Sequence, residues 1–339
     1  MRPRTLPRPA DEDEEAGKTM ATLPPESEFV IGIDRDGEII YDRDEPILEE
    51  DNLIQLLVPP TLTFNDLPKL GKIARRHDVA LSSHTPYYMD LTGNMEEDGP
   101  DAMLTQQYMD ILIQAGIITD AIGGDVVVTS LGPYDERIHT REETDENIHN
   151  NVEIIMEMWN MYGLKPKLGI EVTGQTDVFG SPDQIFDLCD EIDGVVPILN
   201  FAHYQARSGC ALETPADFAE VIGEFAELSG GYVWASFSNV EVDKDNCYEK
   251  VLTPLKKGDL KFERLAEALA EINPEMTIIS SSPLLEHDAV YMRTLTERVL
   301  SKKAMKALKE RKKEQAKAEK AEESAEEAEA EAPEEESEE

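Results

Sequence analysis

Cysteine, long apolar runs and basic charge are all scarce in this sequence. Its 339 residues contain only 3 cysteines, Cys189, Cys210 and Cys247, and no two of them form a C-x-x-C pair. A sparse, odd set argues against a disulfide framework and a cysteine-based zinc site, and it favours a reducing compartment. Apolar runs never approach the ~20 residues that a membrane-spanning helix needs. The sequence therefore predicts a cytoplasmic protein that does not enter a membrane.

Basic residues are few relative to acidic ones. The chain has 32 Lys and Arg against 72 Asp and Glu, which gives a formal net charge of -40. Such a surface repels nucleic acid and anionic membranes unless basic residues gather in one patch, because phosphate contacts supply most non-specific affinity. The composition therefore disfavours DNA and membranes as partners.

Composition divides the chain into three segments. Residues 1–26 are rich in proline and acid, so they are too polar to fold alone and are predicted to be disordered. Residues 27–300 carry apolar strand and helix patterns. Residues 301–339 begin with Lys, Ala and Met, a strong helix composition, and end in Glu-rich low complexity. We predict one folded domain, then a charged helix and a disordered acidic tail that contacts a protein partner.

Eight apolar runs of strand length occur in the middle segment, mostly separated by helical patterns. The strand candidates are Phe29 to Ile33, Leu53 to Val58, Val79 to Ser83, Val126 to Ser130, Leu168 to Val172, Val195 to Phe201, Tyr232 to Phe237 and Met276 to Ser280. This alternation predicts parallel βαβ units, and eight is the strand number of a (β/α)8 TIM barrel.

The first of these units is irregular. A turn at Asp34-Arg35-Asp36-Gly37 would let Glu38 to Tyr41 return antiparallel to the first strand. An open doubly wound sheet is the alternative fold, but that fold usually carries a glycine-rich phosphate-binding turn after its first strand, and this turn is not one. We therefore predict a barrel over residues 27–300.

Functional side chains are expected where the barrel strands end, because the βα loops build the active sites of this fold at that rim. His84, Glu171 and His203 follow three of the strands. Imidazole and carboxylate together are a common ligand set for zinc, manganese or iron. The other strand ends supply only poor, neutral ligands, namely Ser130, Asn200, Ser236 and Ser281.

Six short segments between Val79 and Thr294 match one family in the right order. They are His84 to Leu91, Ser130 to Tyr134, Gly169 to Gln175, Leu199 to Ala206, Ser236 to Glu241 and Ile278 to Ala289. The first, His-Thr-Pro-Tyr-Tyr-Met-Asp-Leu, resembles the His-x-x-Tyr-x-x-Asn-Leu signature of the endonuclease IV family, which is AP endonuclease family 2 within the xylose isomerase-like barrels. Each segment is a weak signal alone, whereas six in series are specific.

The resemblance implies a (β/α)8 barrel and zinc-dependent cleavage of the DNA backbone 5′ to an abasic site. In that family three zinc ions polarise the phosphate and generate the attacking hydroxide, a role for which metals lower the pKa of water. Carried over to this sequence, His84 and Glu171 would bind one ion, Glu171 would bridge to a second, and His203 would bind the third. Tyr87 would be the aromatic wedge that enters the DNA stack.

The sequence departs from the family pattern at the other ligand positions. Ser130 and Ser236 stand where the family has His, Asn200 where it has Asp, and Ser281 where it has Glu. A later Asp-x-His pair would fall near Glu249-Lys250-Val251, which lacks the His. Because each metal loses at least one ligand, we predict that a three-metal centre does not assemble and that zinc binds as one or two ions at most.

Three functions are weighed on this basis. The first is a catalytically degenerate endonuclease IV-like protein that acts in binding or as a scaffold, in which Glu171 pairs with His84 or His203. The second is a reduced-site enzyme, an AP endonuclease or a sugar isomerase or epimerase, with one metal at His84, Glu171 and His203. The third, DNA binding through Tyr87 without cleavage, is disfavoured by the acidic charge.

Overall fold

The computed structural model describes residues 30–33, 39–41, 66–97 and 99–330. The predicted disorder of residues 1–26, the predicted strand from Leu53 to Val58 and the end of the acidic tail lie outside these residues. The described residues fall into two units, one up to Ser83 together with Ala121–Gly124, and one made of His84–Asp120 and Asp125 onward. Every helix of the described part is too short or too polar to cross a bilayer.

The first unit contains a hairpin and a helix. Strand β1 (Val30–Ile33) pairs antiparallel with β2 (Ile39–Tyr41), as the turn between them predicted. Helix α1 (Leu67–Arg76) has a proline in its first turn and Arg75 and Arg76 in its last. Proline suits a first turn because its missing N–H is not needed there, and basic residues suit the negative end of the helix dipole.

The rest of the described chain alternates strands with helices. The strands are β3 (Ser83–His84), β4 (Val126–Thr129), β5 (Lys167–Glu171), β6 (Val195–Asn200), β7 (Tyr232–Phe237), β8 (Asn239–Asp243), β9 (Tyr248–Thr253) and β10 (Glu275–Ser280). The helices are α2 (Pro100–Ile122), α3 (Arg141–Met161), α4 (Pro182–Glu191), α5 (Phe201–Arg207), α6 (Pro215–Leu228), α7 (Phe262–Ile272) and α8 (Glu286–Ala330).

Six strands form one sheet in the order β10-β7-β6-β5-β4-β3. The pairs β10–β7, β7–β6, β6–β5 and β5–β4 are all parallel. Strands that follow one another in the barrel prediction are therefore neighbours, and the order never reverses. A doubly wound sheet reverses its strand order at a switch point. These six strands instead follow one another across one sheet, as neighbouring strands of a barrel do.

Local sequence explains where the helices begin. Thr140, Ser181 and Thr214 each accept a hydrogen bond from the N3 backbone N–H of the helix that follows, in complete capping boxes. These interactions satisfy N–H groups that have no partner within the helix. Helix α6 accordingly begins at Pro215, directly after its cap Thr214.

Two faces of the sheet bury different clusters. On one face Val127, Leu168 and Leu199 belong to the main core, which also contains residues of the surrounding helices. On the other face Val126, Val128, Val196 and Ile198 form a small separate cluster. This division follows from the period of two along a strand. The small cluster lies on the same face of the sheet as the polar side chains at the carboxyl ends of these strands.

Strand β3 covers only Ser83–His84, whereas a strand was predicted from Val79 to Ser83, and three further elements also differ from the prediction. Helix α5 starts directly at the end of β6, where strand was predicted to include Phe201, and the hairpin of β8 and β9 was not predicted at all. Helix α8 continues through Ala330, so it includes part of the Glu-rich segment that was predicted to be disordered. Alanine and glutamate both have high helix propensity, so the change to a Glu-rich composition does not end the helix.

Candidate functional site

The strand alternation brings the predicted site positions onto one face. Residues 171, 200 and 236 continue, at intervals of two, the same face of β5, β6 and β7 that carries the small apolar cluster. Asn200 and Ser236 are direct neighbours in the parallel pairing of β6 with β7. The carboxyl ends of these strands therefore form one polar layer above an apolar one.

Glu171 lies at the centre of this layer. Its carboxylate is 13% exposed, and Oε1 accepts hydrogen bonds from the amide of Asn200 at 3.0 Å and from the hydroxyl of Ser236 at 3.4 Å. The second oxygen, Oε2, lies 3.3 Å from Nε2 of His84 and 3.9 Å from Nε2 of His203. The three residues predicted as surviving metal ligands therefore lie together, with both imidazoles directed at the same oxygen of Glu171.

Asn200 also fixes the element that carries His203. Its side-chain oxygen accepts from the backbone N–H groups of Ala202 and His203 and so caps α5. An N-cap of this kind orients the first turn of a helix. One side chain therefore holds Glu171 through its amide and α5 through its oxygen.

His84 is positioned by its own strand end. The neighbouring Thr85 is buried, with its N–H bonded to Val128 O at 2.9 Å and its hydroxyl to Thr129 at 2.8 Å. Nδ1 of His84 donates to the carbonyl of Thr85 at 2.7 Å, which turns Nε2 toward Glu171. The ring is 46% exposed, so one side of this imidazole faces solvent.

Glu249 completes the site and was not predicted to belong to it. The β8–β9 hairpin places its carboxylate against Nδ1 of His203, and its backbone N–H donates to Gly174 O at 2.9 Å. A side chain at position 174 would collide with the Glu249 carboxylate, which explains the glycine. The sequence signal for Glu249 is that Glu249-Lys250-Val251 falls near the family's Asp-x-His pair and keeps an acidic residue although it lacks the His.

These contacts shift the pKa values of the three central groups. Burial alone would raise the pKa of Glu171 and lower that of each imidazole. The His84 hydrogen bond and the charge of His203 outweigh burial, so the pKa of Glu171 is lowered. Glu171 likewise raises the pKa of His84, and Glu249 together with Glu171 raises that of His203. The carboxylate and both imidazoles are therefore stabilised in their charged forms.

Among the described contacts, the remaining predicted residues form no hydrogen bond with this carboxylate–imidazole cluster. The hydroxyl of Ser130 donates to the backbone oxygen of Tyr87 at 3.2 Å. Tyr87 is 86% exposed and contacts Tyr88 edge to face, with ring centroids 5.5 Å apart. The Ser281 hydroxyl is buried and has no hydrogen-bond partner among the described residues.

The geometry has a clear bearing on metal binding. A bridging Glu171 would use one oxygen for each ion, but Oε1 already accepts from Asn200 and Ser236. A three-metal centre therefore does not fit these residues. Within the part of the chain that the structure describes, no group of three or more His, Cys, Asp or Glu side chains is already arranged around a metal position.

Comparisons with known proteins agree on the architecture. A family model described as a xylose isomerase-like TIM barrel matches residues 49–295. The protein named "Uncharacterized protein MJ0133" of Methanocaldococcus jannaschii is 26% identical over 219 residues, which are 63% of this chain and 76% of that protein.

Two solved structures share the fold. A D-tagatose 3-epimerase-like protein has a TM-score of 0.55 at 18% identity, covering 72% of this chain and 85% of its own. Endonuclease IV from Thermus thermophilus has a TM-score of 0.52 at 15% identity, with coverage of 72% and 85%. The TIM-barrel prediction is confirmed.

Proposed function

Because the chain belongs to the xylose isomerase-like TIM barrel family, we propose that it is a member that has lost multinuclear metal catalysis and acts as a binding protein. Its endonuclease IV-like segments record an ancestral role in phosphodiester cleavage at abasic sites. The present role is recognition of a ligand at the strand ends.

The observation that carries this proposal is the environment of Glu171 Oε1. Asn200 and Ser236, which stand at family ligand positions, donate to it. A buried carboxylate that loses its metal must find other donors or become protonated. The two substitutions supply those donors, so the site is satisfied as a hydrogen-bonded cluster in place of a metal cluster.

Charge and exposure indicate the class of ligand. Within the site, the charges of Glu171 and Glu249 offset those of the two imidazoles. The whole chain carries a net charge of -40, so its field disfavours a phosphate group. The imidazole of His84 is partly exposed and its contact with Glu171 Oε2 is long, at 3.3 Å, so a ligand hydroxyl can compete for both groups. The ligand that these groups fit is a small neutral molecule with hydroxyl groups.

The scaffold part of the proposal rests on α8. Its residues from Ser301 to Gln315 are all exposed. We propose that this segment contacts an acidic protein partner, because most of its charged side chains are basic. Cross-linking of the full chain and of a chain ending at Leu300 in the native host extract tests this, since a partner that binds both forms equally would contradict it.

Elemental analysis combined with an abasic-site incision assay tests the main proposal. We expect fewer than two zinc ions per chain and no incision, for the wild type and for His84→Ala alike. Two or more tightly bound zinc ions per chain, together with incision that His84→Ala abolishes, would overturn it.

A one-metal enzyme is the second candidate, and a separate observation favours it. In both His84 and His203, Nδ1 is hydrogen-bonded to an oxygen while Nε2 faces Glu171 Oε2. Metal-binding histidines typically show this arrangement, since the second nitrogen fixes the ring orientation. These three residues would hold a single ion, which would act as a Lewis acid toward a bound hydroxyl or carbonyl.

Thermal unfolding with and without Zn²⁺ or Mn²⁺ separates the two candidates. An ion at 100 times its Kd stabilises a folded protein by about 2.7 kcal/mol. The one-metal site predicts such a shift for the wild type and its loss in His203→Ala. His149→Ala is a matched control, because His149 pairs with Glu191 away from the cluster. No shift in the wild type would refute this candidate.

A further inference from the structure

Two of the three cysteines lie on the elements that meet at His203. Cys210 follows α5, the helix that carries His203. Cys247 lies in the turn between β8 and β9, two residues before Glu249. Both thiols are free and partly exposed. One cysteine therefore lies close in sequence to the helix of the site, and the other lies in the hairpin that carries Glu249.

The residue before Cys210 lies beside the thiol of Cys247. An ideal Cβ on Gly209, the residue before Cys210, would lie 3.3 Å from Sγ of Cys247. Burial raises the pKa of the Cys210 thiol, and the charges of Asp259 and Cys247 act in the same direction while Lys244 opposes them. Cys210 also lines a cavity of about 230 Å³ beside the hairpin.

Both cysteines have an unusual backbone conformation. The φ angles of Cys210 and Cys247 are 70° and 49°, in the left-handed region that glycine normally occupies. Only three other described non-glycine residues share this region. Such conformations persist where the surrounding structure holds them, and they are enriched at functional positions. A purely structural role does not explain why two neighbouring cysteines both have this conformation.

We propose that Cys210 and Cys247 form a reversible disulfide that locks the β8–β9 hairpin onto α5. The inference is independent of the ligand proposed for the site, since it concerns how firmly the hairpin holds Glu249 against His203. The lock would restrict movement of the hairpin and, with it, access to the carboxylate–imidazole cluster.

The oxidant is a peroxide. One thiolate attacks the O–O bond of hydrogen peroxide, forming a sulfenic acid and releasing hydroxide, which takes up a proton as water. The second thiolate attacks the sulfenic sulfur, the S–S bond forms, and the hydroxyl leaves as a second water. Two sulfurs are oxidised and one peroxide is reduced to two waters. A small-molecule dithiol reverses the reaction by exchange.

Peptide mapping after peroxide treatment tests the proposal. The full chain is treated with hydrogen peroxide, blocked with N-ethylmaleimide, digested without reduction and analysed by mass spectrometry. We expect one cross-linked peptide pair that joins Cys210 to Cys247, with Cys189 still alkylated. Thermal unfolding should show a melting temperature raised by on the order of 5 °C, because the link closes a loop of moderate length. Dithiothreitol should reverse both effects.

Variants make the outcome decisive. Cys210→Ser and Cys247→Ser should each abolish the cross-link and the temperature shift, whereas Cys189→Ser should behave like the wild type. Circular dichroism checks that every variant folds. The proposal is overturned if folded wild-type protein retains both thiols under peroxide, or if Cys247 links to Cys189 or to a second molecule in preference to Cys210.

Discussion

Asn200 donates its side-chain amide to Glu171 across neighbouring strands, at 3.0 Å. The same residue caps α5 through its oxygen, so one side chain joins the central carboxylate to the helix of His203. An aspartate would cap the helix equally well but would offer no donor to Glu171. The neutral side chain therefore supplies Glu171 with a donor that an aspartate would lack.

Asn200→Asp should consequently destabilise the metal-free protein. The substitution removes a hydrogen bond to a charged group and places two carboxylates together, so we expect a loss of about 2–4 kcal/mol in the free energy of unfolding. Zinc should recover part of this loss, because the new carboxylate restores a ligand. Urea unfolding with and without zinc measures both effects.

Asn151→Asp is the matched control for that experiment. Asn151 is also buried and donates to the backbone oxygens of Leu91 and Gly93, which lie away from the cluster. The control should be destabilised without any recovery by zinc. Equal stability of Asn200→Asp and the wild type in chelator would contradict the role assigned to the Asn200 amide.

The charged cluster should give stability a defined pH dependence. The lowered pKa of Glu171 contributes stability that is present above its ordinary value of 4.5 and is lost as pH falls through the folded-state pKa. The raised pKa values of His84 and His203 contribute stability that is present below 6.5 and is lost as pH rises through their folded-state values. The full contribution is therefore present between these two ordinary values.

Glu171→Gln isolates this contribution from the many other acidic groups of the chain. The difference in unfolding free energy between wild type and variant, measured by urea denaturation in chelator, should be largest between pH 4.5 and 6.5. It should shrink on both sides of that window. A difference that is constant with pH would show that Glu171 does not form these ion pairs.

Sequence patterns predicted which strands carry the site residues, but they did not predict all the contacts between those residues. The apolar periodicity gave the strands whose ends carry Glu171, Asn200 and Ser236, because a barrel fixes where such ends meet. Helix α5 escaped prediction because its seven residues start within an apolar run, at Phe201. Glu249 and His203 are 46 residues apart in the sequence. Their contact depends on how the β8–β9 hairpin packs, and a local sequence pattern does not determine that packing.

Glu249→Gln should lower the pKa of His203. The hydrogen bond and charge of Glu249 raise that pKa against the effect of burial, and a neutral amide removes the charge while keeping the shape. Titration of the His203 ring signals by NMR measures the change. Glu241→Gln, an exposed position on the same hairpin, is the control and should leave the signal unchanged. An unaltered His203 titration in Glu249→Gln would remove Glu249 from the site.

Asp288 supports the last strand–helix connection and provides a separate test of the fold. It lies in the first turn of α8 but is 5% exposed, and it accepts from Leu255 N–H at 2.9 Å and from the Ser282 hydroxyl. Asp288→Ala should cost about 2–4 kcal/mol of unfolding free energy, because two buried donors lose a charged acceptor. Glu286→Ala removes an exposed acid from the same turn and should cost less than about 1 kcal/mol. Urea unfolding measures both losses, and the buried hydrogen bonds predict a clearly larger loss for Asp288→Ala. Equal losses would mean that Asp288 acts only through the helix dipole.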